Sequence, residues 1–401
     1  MMVRNTVSIS KKVRQHMTEG GWIRRMFDEG LALKQKIGEK NVFDLSLGNP
    51  VAEPPEEFRR ELLKWAADVR PGLHRYMPNA GYPETRAAVA VHLKSVTKLP
   101  FVGEEVLMTC GAAGAINVAL KAILEPGDEV IVFAPFFSEY AYYVDNHQGV
   151  MRPVPTDSHF KPDLNTLENA VTAKTRAVLI NSPNNPTGAV YGADTLAGIG
   201  GILRKKEDRF GRDIFLISDD VYRRLVYDQP EPPYIFPYHR SSILATSHSK
   251  DLALPGERIG YVAVNPGYEG RKELMDGMVF CNRVLGFVNA PALMQRAVQG
   301  LQGVGVDVSE YKRKRDLLYT SLTGMGYEMV KPGGAFYMFP KSPIADDLAL
   351  ISELRKHNVL VVPGVGFGTP GYFRISYCVD DWVIDGSLKG FEAVARHFGL
   401  S

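Results

Sequence analysis

Residues 18–40 carry a helical rhythm: Ile23, Met26, Phe27, Gly30 and Leu31 fall at i, i+3, i+4, i+7 and i+8, the spacing that lines one face of a helix. A Pro-broken loop follows at 49–55. From there to about residue 302 one pattern recurs: a short β-branched apolar run, a turn of Gly, Pro or Asn, then a helical stretch. Runs at 106–109, 129–133, 176–181, 213–218, 242–247 and 258–264 predict strands, and runs so continuously apolar suit a mostly parallel sheet covered on both faces. Beyond residue 303 the order becomes a helix, a turn at 331–334, a strand, another helix and a final strand at 372–377. The expected architecture is α/β, with a large domain over 50–302, a smaller α+β domain from 18–49 and 303–401, and an N-terminal arm at 1–17.

The chain has 401 residues, more than the ~250 to 300 at which one hydrophobic core stops growing, which agrees with two domains. Apolar residues make up 45% and charged residues 23%, the balance of a globular protein. A formal charge of only +2, from 47 basic and 45 acidic residues, builds no basic stripe for nucleic acid, so a small-molecule partner is expected. Cys110, Cys281 and Cys378 are far apart and lack C-x-x-C spacing, which suits reduced thiols in a cytoplasm. The first 17 residues hold no apolar segment of the signal-peptide kind, and no run approaches ~18 apolar residues, so neither export nor membrane insertion is expected.

In an open α/β sheet, chemistry collects where strands end. The first strand leads into C-G-A-A-G-A at 110–115, a small-residue helix start whose free N–H groups can hold a phosphate. After the second comes A-P-F-F, where Phe137 can lie against a planar ring, and the third runs into N-S-P-N-N-P-T-G at 181–188, a stiff turn carrying Asn185. The fourth ends in D-D-V-Y, with Asp219 and Tyr222. The fifth runs into S-H-S-K, placing Ser247, Ser249 and Lys250 together, with Arg258 eight residues on. Arg374, in F-R-I-S-Y, stands in an apolar setting where Arg is seldom found without an anion.

In this order, together with S-L-G-N-P at 46–50, Y-x-x-x-x-G-x-x-x-x-R from Tyr76 to Arg86, G-x-R-I-G ending at Gly260 and G-A-F-Y at 334–337, the motifs resemble those of the aspartate aminotransferase family, the fold type I pyridoxal-phosphate enzymes. The resemblance runs from about Ile23 to His397. It implies a seven-stranded, mostly parallel sheet in the large domain, pyridoxal 5'-phosphate as cofactor, and transfer of an amino group between an α-amino acid and a 2-oxo acid such as 2-oxoglutarate or pyruvate.

By the same resemblance, Lys250 holds the cofactor as a Schiff base and moves the proton. Asp219 pairs with the ring nitrogen, while Asn185 and Tyr222 bond the ring's phenolic oxygen and Phe137 stacks on the ring. Arg258, Ser247, Ser249 and the backbone of Ala112 and Ala113 hold the phosphate. Tyr76 is contributed to the neighbouring subunit's phosphate, which implies a homodimer, and Gly48, Asn185 and Arg374 hold the substrate carboxylate. The chain departs from many relatives in having Ala112, Ala113 and Gly114 where Ser, Thr or Gln is common, and Phe137 in place of Trp or Tyr; His248 falls at a variable position. Aspartate is among the implied donors, and a second carboxylate needs a second cation, for which Arg283 is the candidate.

A β-lyase or decarboxylase of the same fold is the alternative reaction, since motifs barely separate them. A ligand-sensing module fused to a DNA-binding domain finds no room in the first 17 residues, a nicotinamide dehydrogenase finds no G-x-G-x-x-G, and the nine histidines form no H-E-x-x-H metal motif.

Overall fold

A computed structural model describes residues 8–19 and 21–400. Its centre is a seven-stranded sheet of β1 (Val106–Thr109), β2 (Glu129–Ala134), β3 (Val150–Pro155), β4 (Thr175–Asn181), β5 (Phe215–Asp219), β6 (Ser242–Ser247) and β7 (Gly260–Val264). The spatial order is β1-β7-β6-β5-β4-β2-β3, parallel throughout except for β7, which runs antiparallel to both neighbours. The predicted strands sit within two residues of these bounds. β3 was not foreseen, because Pro153 and Pro155 make it read as loop; prolines are tolerated there because it is an edge strand.

Side chains alternate to the two faces and build two cores, one around Val106, Ile131, Val178 and Leu216, the other around Leu107, Val130, Leu179 and Ile217. A third core joins Met26 and Leu45, near the start of the chain, to Leu318, Phe373 and Phe391 near its end. Phe43–Asp44 pairs in parallel with Val359–Leu360, and Val362–Pro363, Phe373–Ser376 and Tyr337–Met338 form a small antiparallel sheet.

The expected helix over 18–40 is corrected. The structure has two helices, Lys11–Glu19 and Trp22–Ile37, and Gly21 between them has φ +77°, which ends helical continuity. Arg258 is also corrected: it is not a strand residue but sits just before β7 with φ +53°. The long C-terminal helix Asp381–His397 was missed, although Val383, Ile384, Phe391 and Val394 supply a buried helical face. Among the described residues no helix is long and apolar enough to cross a membrane, and no cluster of His, Cys, Asp or Glu is arranged to hold a metal.

Candidate active site

The sheet register lines up the strand ends. Asn181 pairs with Asp219 at the ends of β4 and β5, and Gly260 at the start of β7 pairs with both Ser247 of β6 and Thr109 of β1. A four-residue helix, His248–Asp251, begins directly after β6 and presents Lys250. The helix Gly111–Ile123 begins just after β1, so the N–H groups of Ala112 and Ala113 lie in its first turn, where no intrahelical acceptor exists. Two glycines make this junction compact. A Cβ on Gly260 would lie 2.9 Å from Cα of Ser247, and one on Gly111, whose φ is +73°, would lie 2.8 Å from Nη2 of Arg258. Arg258 therefore rests over the helix start, with Nη1 donating to the Pro255 carbonyl at 2.9 Å.

These ends border a cleft of about 330 Å³. Every residue predicted for the cofactor or the α-carboxylate except Tyr76 lines it: Gly48, Ala112, Ala113, Phe137, Asn185, Asp219, Tyr222, Ser247, Ser249, Lys250, Arg258 and Arg374. Gly48 has its own steric reason, since a Cβ there would collide with the Tyr337 hydroxyl.

Three charged groups define the electrostatics. Lys250 donates from Nζ to the Gly48 carbonyl at 2.7 Å, and burial, reinforced by Arg374 and Arg258, pulls its pKa down to about 8. Asp219 is 7% exposed; its Oδ2 accepts from the Tyr140 hydroxyl at 2.6 Å, while Oδ1 has no partner among the described residues. Burial raises its pKa to about 7, against the lowering effect of the Tyr140 hydrogen bond and with some help from Asp220. Arg374 is 1% exposed, donates from Nη1 to Asn185 Oδ1 at 2.9 Å and from Nη2 to the Ser46 carbonyl at 2.5 Å, and keeps Nε unpartnered. Its described contacts include no carboxylate, so a buried cation here stands ready for an anion from outside the chain.

Several residues went unforeseen. Tyr140 holds Asp219, and Tyr337 meets the Tyr222 hydroxyl at 3.1 Å and lies under the Arg374 guanidinium, 4.6 Å from ring centroid to Cζ. Ile23, Glu139 and Tyr143 also line the cleft. Tyr337 sits in the G-A-F-Y motif, so the sequence held a signal for it; Tyr140 is one of several aromatics in F-F-S-E-Y-A-Y-Y, and nothing local marks it out. Three residues lie elsewhere. Tyr76 is 90% exposed, Arg283 is on the exposed last turn of Arg271–Val284 over Phe280, and His248 is buried against Asp251, facing away from the cleft into a separate small cavity.

The model of the class I and II aminotransferases matches residues 40–388. An aspartate/prephenate aminotransferase of Thermus thermophilus is 32% identical over 92% of this chain and 94% of its own length, and an aspartate aminotransferase of Pyrococcus abyssi is 33% identical over 94% and 96%. The crystal structure of an aminotransferase from Eubacterium rectale superposes with a TM-score of 0.94 at 38% identity, covering 98% of this chain and all of that one. Agreement of this extent, in sequence and in backbone alike, makes the chain a member of the class I and II aminotransferases, enzymes that work with pyridoxal phosphate.

Proposed function

We propose that Lys250 carries the cofactor covalently at Nζ and shuttles the proton in transfer of an amino group from an α-amino acid to a 2-oxo acid. The observation that carries this reading is a buried lysine facing, across one cleft, a buried carboxylate with an unpaired oxygen. When bound, the cofactor supplies an electrophilic aldehyde and a protonated aromatic ring that draws electrons from the bond being broken.

The residues present fit that group. Asp219 Oδ1 lacks a partner in a place where burial resists its charge, so a cationic ring N–H is what completes it. Tyr140, fixed to the other oxygen, holds the carboxylate in place at the cleft wall. Arg258, Ser247, Ser249 and the first-turn N–H groups of Ala112 and Ala113 form a donor-rich corner that suits a phosphate. Phe137 packs edge-on against Tyr140 at 5.5 Å, which fixes its face for stacking. Asn185 and Tyr222 are left for the ring's phenolic oxygen.

With a pKa of about 8, Lys250 is free base in roughly a tenth of molecules at neutral pH, far more than an exposed lysine, which suits both attack on the aldehyde and acceptance of a proton from the substrate α-carbon. Gly48 and Arg374 take the substrate α-carboxylate, since the buried guanidinium otherwise has no anion. Nothing in the cleft favours elimination or decarboxylation over transfer. The pairing of Phe43–Asp44 with Val359–Leu360 supports residues 18–49 and 303–401 as one small domain, with 50–302 as the large one. The exposure of Tyr76 supports its use by a second copy in a homodimer, and the three free cysteines suit a cytoplasmic setting. The relatives named for aspartate put that amino acid on the panel of donors to try.

The test is Lys250→Ala. The variant should lose the visible absorbance of the lysine-bound cofactor and all measurable turnover; an unchanged spectrum refutes the assignment.

A further inference from the structure

One charged side chain in the cleft has no task in the account above. Glu139 closes the loop after β2, immediately ahead of the helix Tyr140–Asn146, and lines the cleft with Phe137, Tyr143 and Ile23. Among the described residues its carboxylate has no salt-bridge or hydrogen-bond partner, and burial, with no neighbouring charge taking part, pushes its pKa up. A carboxylate half removed from water with no cation beside it is costly, unless something else brings the cation.

The cleft's own cations are already committed. Among the described residues they are Lys250, Arg258 and Arg374, assigned to the cofactor's aldehyde, its phosphate and the substrate α-carboxylate. Arg283, the candidate for a distal carboxylate, is outside the cleft of its own chain. A donor with a second carboxylate therefore finds no free cation from this chain and meets a like charge at Glu139. A donor with a cationic end finds the partner that the carboxylate lacks.

Resting on the transamination reading, we propose that Glu139 reads the donor's side chain, and that the preferred donors end in an amine or guanidinium, as ornithine, lysine and arginine do. A charge-assisted hydrogen bond in a partly desolvated cleft gives the specificity. The segment is firmly held for this purpose: Tyr140, next in sequence, is fixed to Asp219 at 2.6 Å, and Phe137, two residues earlier, packs on Tyr140.

The experiment follows the donor half-reaction of the holoenzyme, mixing it with ornithine, lysine, alanine or aspartate without acceptor and recording loss of the bound cofactor's visible absorbance. The second-order constants should rank ornithine and lysine above alanine, and alanine above aspartate. Glu139→Gln should lower the ornithine-to-alanine ratio by roughly tenfold or more, and Glu139→Lys should invert the order of ornithine and aspartate. A wild-type enzyme that prefers aspartate to ornithine overturns the proposal. So does a ratio unmoved by Glu139→Gln; if that variant instead dissociates in light scattering, the carboxylate belongs to a contact between subunits. Failure of the transamination reading looks different, because then no donor bleaches the absorbance, alanine included, and both readings fall together.

Discussion

Burial holds the Asp219 carboxyl near 7, against an ordinary value of 3.8, with Asp220 adding to the rise and the Tyr140 hydrogen bond opposing it. The sign of the resulting pH dependence follows. In cofactor-free protein the folded state binds this proton more tightly than the unfolded state does, so its stabilising contribution is complete below about pH 4 and is lost as pH rises through 7. Asp219→Asn removes that loss, and the cofactor-free variant should be more stable than wild type at pH 8 by roughly 1–4 kcal/mol, read as melting temperature against pH. An identical pH profile in the two proteins would show that another group titrates. The loaded enzyme should respond in the opposite way: the same substitution slows turnover by orders of magnitude, because the ring nitrogen loses its anion. At this scale the sequence was informative where a chemically distinctive residue ends a strand, as Asp219 does, or follows one within a turn, as Lys250 does. It was silent on Tyr140, whose place beneath Asp219 depends on packing between segments 79 residues apart.

Strands and turns place these residues, and most were legible because their signals are local: apolar runs for β1, β4 and β6, and Asn, Pro and Gly after β4. Arg258 was read into the strand because nothing local in the sequence marks its left-handed backbone just ahead of β7. The junction where β7 lies beside β6 is tight enough to test. On Gly260 a Cβ meets only backbone within 3.1 Å, at Ser247 and Gly111 and at the Thr246 carbonyl, so neither strand nor helix start can give way cheaply. Gly260→Ala should cost about 1–3 kcal/mol and weaken cofactor retention as well, since Ser247 and the helix start at Gly111 border the corner proposed for the phosphate. Gly277→Ala, in a helix where a Cβ meets nothing within 4 Å, should instead leave stability equal or raise it by up to about 1 kcal/mol. Equal melting temperatures for the Gly260 variant and wild type would remove the steric argument.

For the whole molecule, the open question is whether one chain completes its own site. Tyr76 is on the surface, in a hollow shared with Phe287 and Val288, away from the cleft. If a second copy uses it, two damaged proteins can repair each other. Mixing Lys250→Ala with Tyr76→Ala under subunit exchange puts one intact site in each mixed dimer, restoring about a quarter of wild-type activity when pairing is random. No recovery would mean that Tyr76 does not serve a neighbouring site. The small domain was legible only in outline, because its helices and short strands draw on both ends of the sequence. The hydrogen bond from Arg374 to the Ser46 carbonyl spans 328 residues. Closing so long a loop costs about 5 kcal/mol of chain entropy. The grip proposed for the substrate carboxylate thus exists only once the two ends of the chain have met, and is a property of the whole molecule rather than of any one segment.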